Sequence, residues 1–135
     1  MVLVDANVLL DIITADPIWF DWSAKALEKA LGKGLAINPV IYAEVAAGFQ
    51  KETDLEAAMD WGDLSRLELP YEASFRAGQA FVQYRRQGGD RRSPLPDFFI
   101  GAHAEAAGMT LLTRDVARYR SYFPKVKLII PDPPK

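Results

Sequence analysis

Short runs of apolar residues alternate along the chain with longer segments in which apolar residues recur every three or four positions. Short apolar runs bounded by turn residues are typical of buried strands, and the longer repeat is typical of amphipathic helices. The clearest helical repeat contains Phe20, Ala24, Leu27 and Leu31, with charged residues between them. On this pattern we predict strands over 2–4, 35–37, 110–112 and 126–130, with a weaker candidate over 66–69.

Residues that begin or end helices mark the boundaries of the helical segments. Asn38 suits an N-cap, Pro39 suits the first helical position and Gly108 suits a C-cap. We predict helices over 6–13, 19–31, 39–49, 54–61, 71–87 and 97–107, and a loop over 91–96. Strands that alternate with helices indicate an α/β fold, a three-layer sandwich on a parallel sheet. In such sheets, ligands collect at the carboxyl ends of the strands.

The composition narrows the classes of protein that the chain can be. Its 135 residues, half of them hydrophobic, suit one packed domain spanning 1–135. The chain has no cysteine and a single histidine, His103, which excludes disulfide frameworks, thiol nucleophiles and multi-histidine metal sites. A carboxylate at position 5 comes too early for a signal peptide, and no apolar run could span a bilayer. We therefore expect a cytoplasmic protein without membrane association.

Charge is distributed unevenly, although the formal net charge is only −2. Residues 1–70 carry 5 Lys/Arg and 12 Asp/Glu, whereas residues 71–135 carry 11 Lys/Arg and 6 Asp/Glu. Arginine-rich segments favour a polyanionic partner, because the guanidinium fork matches phosphate oxygens. Solvated helix faces are the alternative explanation. The arginines concerned are Arg85, Arg86, Arg91, Arg92, Arg114, Arg118 and Arg120.

Four acidic residues lie just after predicted strands or on apolar helix faces, where a charged side chain is unusual. Asp5 follows the first predicted strand, and Asp115 comes just after the strand over 110–112. Glu44 is the only charged residue of its predicted helix, and Asp97 lies on a helix face that is expected to pack inward. Each has a structural alternative. Asp5 could cap a helix, and Asp115 could cap a turn through Val116 to Tyr119. Glu44 could pair with a distant cation, and Asp97 could interact favourably with the helix dipole.

Taken together, the four acids could converge at one edge of a parallel sheet. Carboxylates this close raise each other's pKa unless a cation lies between them. Oxygen ligands without histidine or cysteine select Mg²⁺ or Mn²⁺ rather than zinc. Acids that hold Mg²⁺ beside arginines are suited to hydrolysis or transfer at a phosphate.

Four segments, in order along the chain, resemble the motifs of PIN-domain ribonucleases, in particular VapC-type toxins. The first contains Asp5 and Asn7 after the first strand, the second Glu44, the third Asp97 and the fourth Thr113 and Asp115. They read Asp5-Ala6-Asn7-Val8-Leu9-Leu10, Asn38-Pro39-Val40-Ile41-Tyr42-Ala43-Glu44-Val45, Asp97-Phe98-Phe99-Ile100-Gly101-Ala102-His103-Ala104 and Leu112-Thr113-Arg114-Asp115. The closing segment from Arg118 through the strand over 126–130 is also typical of those toxins.

The resemblance implies a roughly five-stranded parallel sheet covered by helices and an Mg²⁺- or Mn²⁺-dependent endoribonuclease activity. Asp5, Glu44, Asp97 and Asp115 would form the metal-binding catalytic cluster, with Asn7 and Thr113 as neutral groups that position it. Such toxins are usually homodimers that a cognate antitoxin silences, so an RNA substrate, an antitoxin and a second copy are the expected partners. RNA contacts would involve Arg85, Arg86, Arg91, Arg92 and Arg114.

Other interpretations stay open at this point. They are a housekeeping RNase on the same fold, a haloacid-dehalogenase-like phosphatase, a receiver domain and a non-catalytic scaffold. The phosphatase chemistry requires a second aspartate two positions after Asp5, where the chain has Asn7. We interpret His103 as a packing or surface residue and Trp19, Trp22 and Trp61 as core or dimer surface. Arg114 could contact a phosphate or neutralise a neighbouring acid, and Asp11 could pair with an arginine.

Overall fold

A computed structural model describes residues 1–60, 63–89 and 94–132. Within these residues, five short strands form one fully parallel sheet in the order β3-β2-β1-β4-β5. The strands are β1 (Val2–Val4), β2 (Leu35–Ile37), β3 (Leu64–Arg66), β4 (Thr110–Leu112) and β5 (Leu128–Ile129). The helices are α1 (Ala6–Ile13), α2 (Phe20–Ala30), α3 (Pro39–Ala46), α4 (Glu52–Ala58), α5 (Tyr71–Arg86), α6 (Leu95–Ala107) and α7 (Val116–Tyr122), with a 3-10 turn at Leu31–Lys33.

The strand order has a topological switch point at β1, which is first in the chain and central in the sheet. The chain first moves from β1 to β2 and β3, and it then crosses to β4 and β5 on the other side of β1. Because crossovers between parallel strands are right-handed, this reversal of direction covers both faces of the sheet with helices, which agrees with the predicted three-layer α/β/α sandwich. Ligand crevices form at such a switch, outside the carboxyl ends of the strands. Here the crevice lies beyond the ends of β1 and β4.

Burial of the central strands explains why strands of only three residues can form this sheet. All three residues of β1 and of β2 are almost completely buried, as are Leu111 and Leu112 of β4. A strand that is covered on both faces reads as a continuous apolar run, and this is the pattern the sequence shows. The register pairs Leu3 with Ala36 on one side and with Leu111 on the other. The central strands are thereby aligned at their carboxyl ends.

Several predicted boundaries differ from the structure. The weak strand predicted over 66–69 lies at Leu64–Arg66, because an edge strand takes its register from its single neighbour: Leu35 pairs with Leu64 and Ile37 with Arg66. The helix predicted from Asp97 begins at Leu95, since proline is tolerated in a first helical turn. The turn expected from Val116 is a full helix, α7. Smaller differences are that α3 ends at Ala46, α4 spans Glu52–Ala58 rather than 54–61, α2 begins at Phe20, and β5 contains only Leu128–Ile129.

Two local predictions are confirmed in detail. Asn38 caps α3 by accepting a hydrogen bond from the Ile41 backbone N–H at 2.9 Å, and Pro39 follows it as the first helical residue. Gly108 ends α6 with a left-handed backbone, φ 65°. Within the described residues, no helix is long and apolar enough to cross a membrane.

Candidate active site

Asp5 lies directly beyond β1 with only 3% of its surface exposed, and its two carboxylate oxygens have different surroundings. Oδ1 accepts a hydrogen bond from the Ala6 backbone N–H at 2.8 Å, so Asp5 is the N-cap of α1. Oδ2 accepts from Thr113 Oγ1 at 2.8 Å, from the Tyr119 hydroxyl at 3.0 Å and from Asn7 Nδ2 at 3.4 Å. Capping alone needs one oxygen, so the three donors on Oδ2 indicate a further role.

Asn7 and Thr113 join the ends of β1 and β4 into one hydrogen-bonded unit. Asn7 Nδ2 lies 3.3 Å from Thr113 Oγ1, and Asn7 Oδ1 accepts from the Arg114 backbone N–H at 3.2 Å. Thr113 Oγ1 in turn accepts from the Asp115 backbone N–H at 3.0 Å. The two neutral residues predicted to position the acids are thus in contact with Asp5 and with the backbone of Asp115.

Glu44 is a half-buried residue of α3, and its carboxylate shares a space with Asp5 and Asp97. Its Oε1 is buried and has no hydrogen-bond partner in the part of the chain that the structure describes. Burial, followed by the negative charges of Asp5 and Asp97, raises the pKa of Glu44 to about 7. A buried carboxylate oxygen without a donor is costly, and it is a common sign of a cation-binding or otherwise functional group.

Asp97 lies in the first turn of α6, as predicted, and faces the same space. Burial raises the pKa of Asp97 to about 6, and the charges of Asp5 and Asp115 add to this effect. Arg118 opposes the shift, although its Nη1 is 3.5 Å from Asp97 Oδ2, which is long for an ion pair. The guanidinium therefore compensates the acidic charge only in part.

Asp115 occupies the N-cap position of α7, but its side chain makes no capping hydrogen bond. An N-cap role therefore explains the position of Asp115 in the chain, but it gives the carboxylate no hydrogen bond. The charge of Asp115 raises the pKa of both Asp5 and Asp97. Asp115 is thus electrostatically coupled to the same cluster.

The four predicted acids converge at one edge of the sheet. Asp5 follows β1 and Asp115 lies near the end of β4, while Glu44 and Asp97 reach the cluster from α3 and α6. The pKa of Asp5, like those of Glu44 and Asp97, is raised first by burial and then by a neighbouring acid. Carboxylates arranged in this way repel each other, and a cation would relieve the repulsion.

The donor set suits a hard divalent cation, although the side chains are not arranged as a closed metal cage. Over residues 1–60, 63–89 and 94–132, no group of three acidic or histidine side chains is placed to hold one ion. Mg²⁺ usually keeps several waters and binds through one or two carboxylates, so such a group is not required. The unpartnered Glu44 Oε1 and the mutual repulsion of the acids are the observations that fit a cation here.

Tyr119 belongs to this site and was not predicted. Its ring is completely buried, and its hydroxyl donates to Asp5 Oδ2 at 3.0 Å. Burial, followed by the charges of Asp5 and Asp97, raises the pKa of Tyr119 well above its usual value, so the hydroxyl stays protonated. The sequence does contain a sign of this role. Val116, Tyr119 and Phe123 recur at helical spacing and form one buried apolar face, and a tyrosine hydroxyl on such a face needs a hydrogen-bond partner.

Arg114 resolves one of the alternatives left open by the sequence. Its guanidinium binds Asp11 through two hydrogen bonds of 2.7 and 2.9 Å, and it lies 4.9 Å from the ring centre of Trp19. Asp11 also accepts from Ser23 Oγ at 2.6 Å. Arg114 therefore neutralises an acid, and that acid is Asp11 rather than Asp115. Arg114 was also predicted to contact RNA, and its guanidinium is engaged in this pairing.

The remaining candidates lie away from the acids or outside the described residues. His103 is buried, and its Nδ1 accepts from Asn38 Nδ2 at 3.0 Å, which confirms a packing role. Arg85 and Arg86 are exposed in the last turn of α5. Their RNA contacts stay a prediction. Arg91, Arg92 and Trp61 lie outside the described residues.

Comparisons with known proteins agree with this geometry. A family model described as "PIN domain" matches residues 2–123. Among solved structures, VapBC2 from Rickettsia felis bound to a promoter DNA fragment is similar, with a TM-score of 0.74 and 20% identity over 96% of this chain and 98% of that one. VapBC-1 from nontypeable Haemophilus influenzae gives 0.71 and 17% over 96% and 98%.

A third similar structure is Mycobacterium tuberculosis VapC20, described as a sarcin-ricin loop cleaving toxin. It gives a TM-score of 0.68 at 12% identity over 91% of this chain and 96% of that one. At such identities the structures show a shared fold. No curated protein sequence matches the chain significantly. The family match favours the PIN prediction over the phosphatase and receiver-domain alternatives.

Proposed function

The chain belongs to the PIN domain family, and from this premise we propose that it is a divalent-metal-dependent endoribonuclease, the toxin of a VapBC-type toxin–antitoxin pair. The observation that carries the proposal is the convergence of Asp5, Glu44, Asp97 and Asp115 at the strand-order switch, with raised pKa values for the first three. Raised carboxylate pKa values in a cleft are typical of functional sites. In a non-catalytic scaffold, the repulsion between these acids would destabilise the fold and serve no function.

In this proposal the four carboxylates would hold Mg²⁺ or Mn²⁺. The cation would lower the pKa of water and stabilise negative charge that develops on the phosphate. Asn7 and Thr113 fix the orientation of Asp5, whose Oδ2 they contact. Glu44 would contribute Oε1, an oxygen without a hydrogen-bond partner among the described residues, to the cluster that binds the cation and orients the water. The products would carry a 5′-phosphate and a 3′-hydroxyl, as the family likeness implies.

RNA is the substrate class that we propose for this site. The structurally similar VapC20 is described as cleaving the sarcin-ricin loop, and the second half of this chain carries the arginine excess that a polyanion requires. Arg85 and Arg86 are exposed and available for phosphate contacts, and we extend the proposal to Arg91 and Arg92. Arg114 is left out of it because its guanidinium is bound to Asp11. We assign the activity to the cytoplasm.

Two protein partners follow from the same proposal. The similar structures are VapBC and FitAB complexes, which supports an antitoxin partner for this chain. The second partner is another copy of the chain, and α5 offers a surface for it. Tyr71, Phe75 and Val82 lie exposed on the side of α5 opposite its buried alanines. Their spacing is that of a helix–helix seam.

A cleavage assay with a matched pair of variants tests the activity. Purified protein is incubated with a mixture of structured RNAs in Mg²⁺ or in EDTA, and the 5′ ends of the fragments are mapped. We expect cutting by the parent only in Mg²⁺, and a loss of at least about 100-fold for Asp97→Asn, which keeps the shape of the side chain and removes its charge. Asp21→Asn, on the exposed face of α2, should cut like the parent.

Two results would contradict the proposal. Equal cutting by Asp97→Asn and the parent would remove the carboxylate cluster from the mechanism. A parent whose melting temperature is unchanged by Mg²⁺ and Mn²⁺ would favour the non-catalytic scaffold, because a ligand that binds only the folded state must stabilise it.

A further inference from the structure

Tyr119 approaches the acidic cluster from α7, an element that contains none of the four acids. We propose that Tyr119 is a positioning residue: its hydroxyl holds Oδ2 of the Asp5 carboxylate and leaves the other oxygen, Oδ1, as the one that would be available to a cation. This inference rests on the proposed function, because it assigns a role within the same site. It goes beyond that function by naming the group that decides which Asp5 oxygen is available.

The two carboxylate oxygens of Asp5 accept different numbers of hydrogen bonds. Oδ2 receives two short hydrogen bonds, from Thr113 Oγ1 at 2.8 Å and from the Tyr119 hydroxyl at 3.0 Å, and a longer one from Asn7. Among the residues that the structure describes, Oδ1 receives only the Ala6 backbone N–H. A carboxylate oxygen offers about two lone-pair directions. Oδ2 is therefore saturated, whereas Oδ1 keeps a direction for a further partner.

The position of Tyr119 makes its hydroxyl a rigid donor. The ring is completely buried on the inner face of α7, and its backbone carbonyl accepts from the Phe123 N–H at 2.8 Å. The hydroxyl cannot swing away without the ring leaving the core. A phenylalanine would fill the same space equally well, so the contribution specific to tyrosine is the donor itself.

Positioning by such groups has measurable consequences for metal sites. Hydrogen bonds that orient a ligating carboxylate usually contribute 10–100-fold to metal affinity or activity. Without the Tyr119 hydroxyl, Asp5 would rely on Thr113 and Asn7, and its carboxylate could rotate about its own axis. The expected result is a weaker cation site in a protein whose packing is unchanged.

The test compares the same substitution at two tyrosines of one helix. Tyr119→Phe removes the hydroxyl that donates to Asp5 and that also lies within reach of Asp97, whereas Tyr122→Phe removes a hydrogen bond of 2.9 Å to Gln87 Oε1 away from the site. Mn²⁺ binding is measured by calorimetry, and RNA cleavage is measured separately as kcat and KM. We expect Tyr119→Phe to bind Mn²⁺ about 10-fold more weakly and to lower kcat with little change in KM, while Tyr122→Phe matches the parent.

Equal Mn²⁺ affinity for Tyr119→Phe and the parent would overturn the inference. A second comparison uses Thr113→Val, which removes the other short hydrogen bond to Oδ2. The effect of Tyr119→Phe should differ between the parent and the Thr113→Val background, because both donors bind the same oxygen; equal effects in the two backgrounds would also overturn the inference. Since Mn²⁺ binding needs no RNA, a parent that binds the ion without cutting RNA would refute the proposed activity and leave the positioning role supported.

Discussion

Glu44 shows how a single side chain can be unfavourable for folding and useful for binding. Its carboxylate is carried on a helix whose other residues are apolar or uncharged, and Oε1 has no partner among the described residues. Burial and the charges of Asp5 and Asp97 disfavour its ionised form. In the unfolded chain these costs vanish, because water solvates each acid separately. The free energy of unfolding should therefore depend on the ionisation state of this cluster.

We predict that the metal-free protein becomes less stable as the pH rises from about 4 to 7.5. The folded pKa values of Glu44 and Asp97 are raised, from 4.5 to about 7 and from 3.8 to about 6. A raised acid pKa contributes stability that is fully present below the unfolded pKa and lost as the pH rises through the folded one. Urea unfolding across this range measures the free energy of unfolding directly.

A matched pair of glutamines isolates the contribution of Glu44. At pH 7.5 without metal, Glu44→Gln should be more stable than the parent by about 1–2 kcal/mol, a value reduced for partial solvent screening. Glu28→Gln, on an exposed position of α2, should follow the parent at every pH. Saturating Mn²⁺ should stabilise the parent more than Glu44→Gln. A stability difference between Glu44→Gln and the parent that does not grow from pH 4 to 7.5 would contradict the mutual repulsion of these acids.

At the scale of the element, α3 is the helix whose position determines where Glu44 lies. Its N-terminus is fixed by Asn38, which accepts from the Ile41 N–H through Oδ1 and donates through Nδ2 to His103 Nδ1 on α6. Burial lowers the pKa of His103, which keeps the ring neutral and able to accept at Nδ1. One side chain thus caps α3 and ties it to the helix that carries Asp97.

We predict that Asn38→Ala lowers the free energy of unfolding by about 2 kcal/mol, because it removes the cap and leaves a buried acceptor on His103 without its donor. Asn38→Asp separates the two effects, since a carboxylate still caps the helix and cannot donate to the ring. Its loss should be smaller than that of Asn38→Ala if capping dominates. Thermal or urea unfolding gives both values, and an Asn38→Ala variant as stable as the parent would contradict the double role.

Elements with strong local signals were predicted correctly, and those set by their neighbours were not. The central strands and the cap of α3 follow from apolar runs and from Asn38 and Pro39, so their positions agree with the structure. The edge strand β3 has a polar sequence, Leu64–Arg66, and is located by pairing with β2. The helix α7 was read as a turn because its seven residues carry few strong helix signals, and Tyr119 was missed with it.

At the scale of the whole molecule, the order of the strands is what brings the acids together. The sequence places Asp5 and Asp115 after strands, but nothing local states that β4 pairs with β1 rather than with β3. The pairing of β4 with β1 is a property of the tertiary structure. The switch of direction at β1 then explains why residues more than a hundred positions apart share hydrogen bonds, as Thr113 and Asp5 do.

The faces of α5 show a second limit of pattern analysis. Tyr71, Phe75 and Val82 do share one side, as the spacing indicates, yet this side is exposed, and Phe75 is 71% accessible. The side that packs inward, mainly against α6, consists of Ala73, Ala77 and Ala80. Small residues allow the two helices to approach closely, so the larger apolar side chains are left outside. Periodicity gives the faces of a helix, and tertiary packing decides which of them is buried.

An apolar stripe of this kind is costly in water unless a partner covers it, and we predict that a second copy of the chain does so. Phe75→Glu places a charge in the middle of the stripe and should convert a dimer into a monomer in light scattering coupled to size-exclusion chromatography. Gln83→Glu adds the same charge to an exposed position about a third of a turn away on α5 and should leave the dimer intact. A dimer that survives Phe75→Glu would assign self-association to another surface. A parent that is monomeric alone, and that binds antitoxin only with Phe75 intact, would instead make the stripe part of the antitoxin interface.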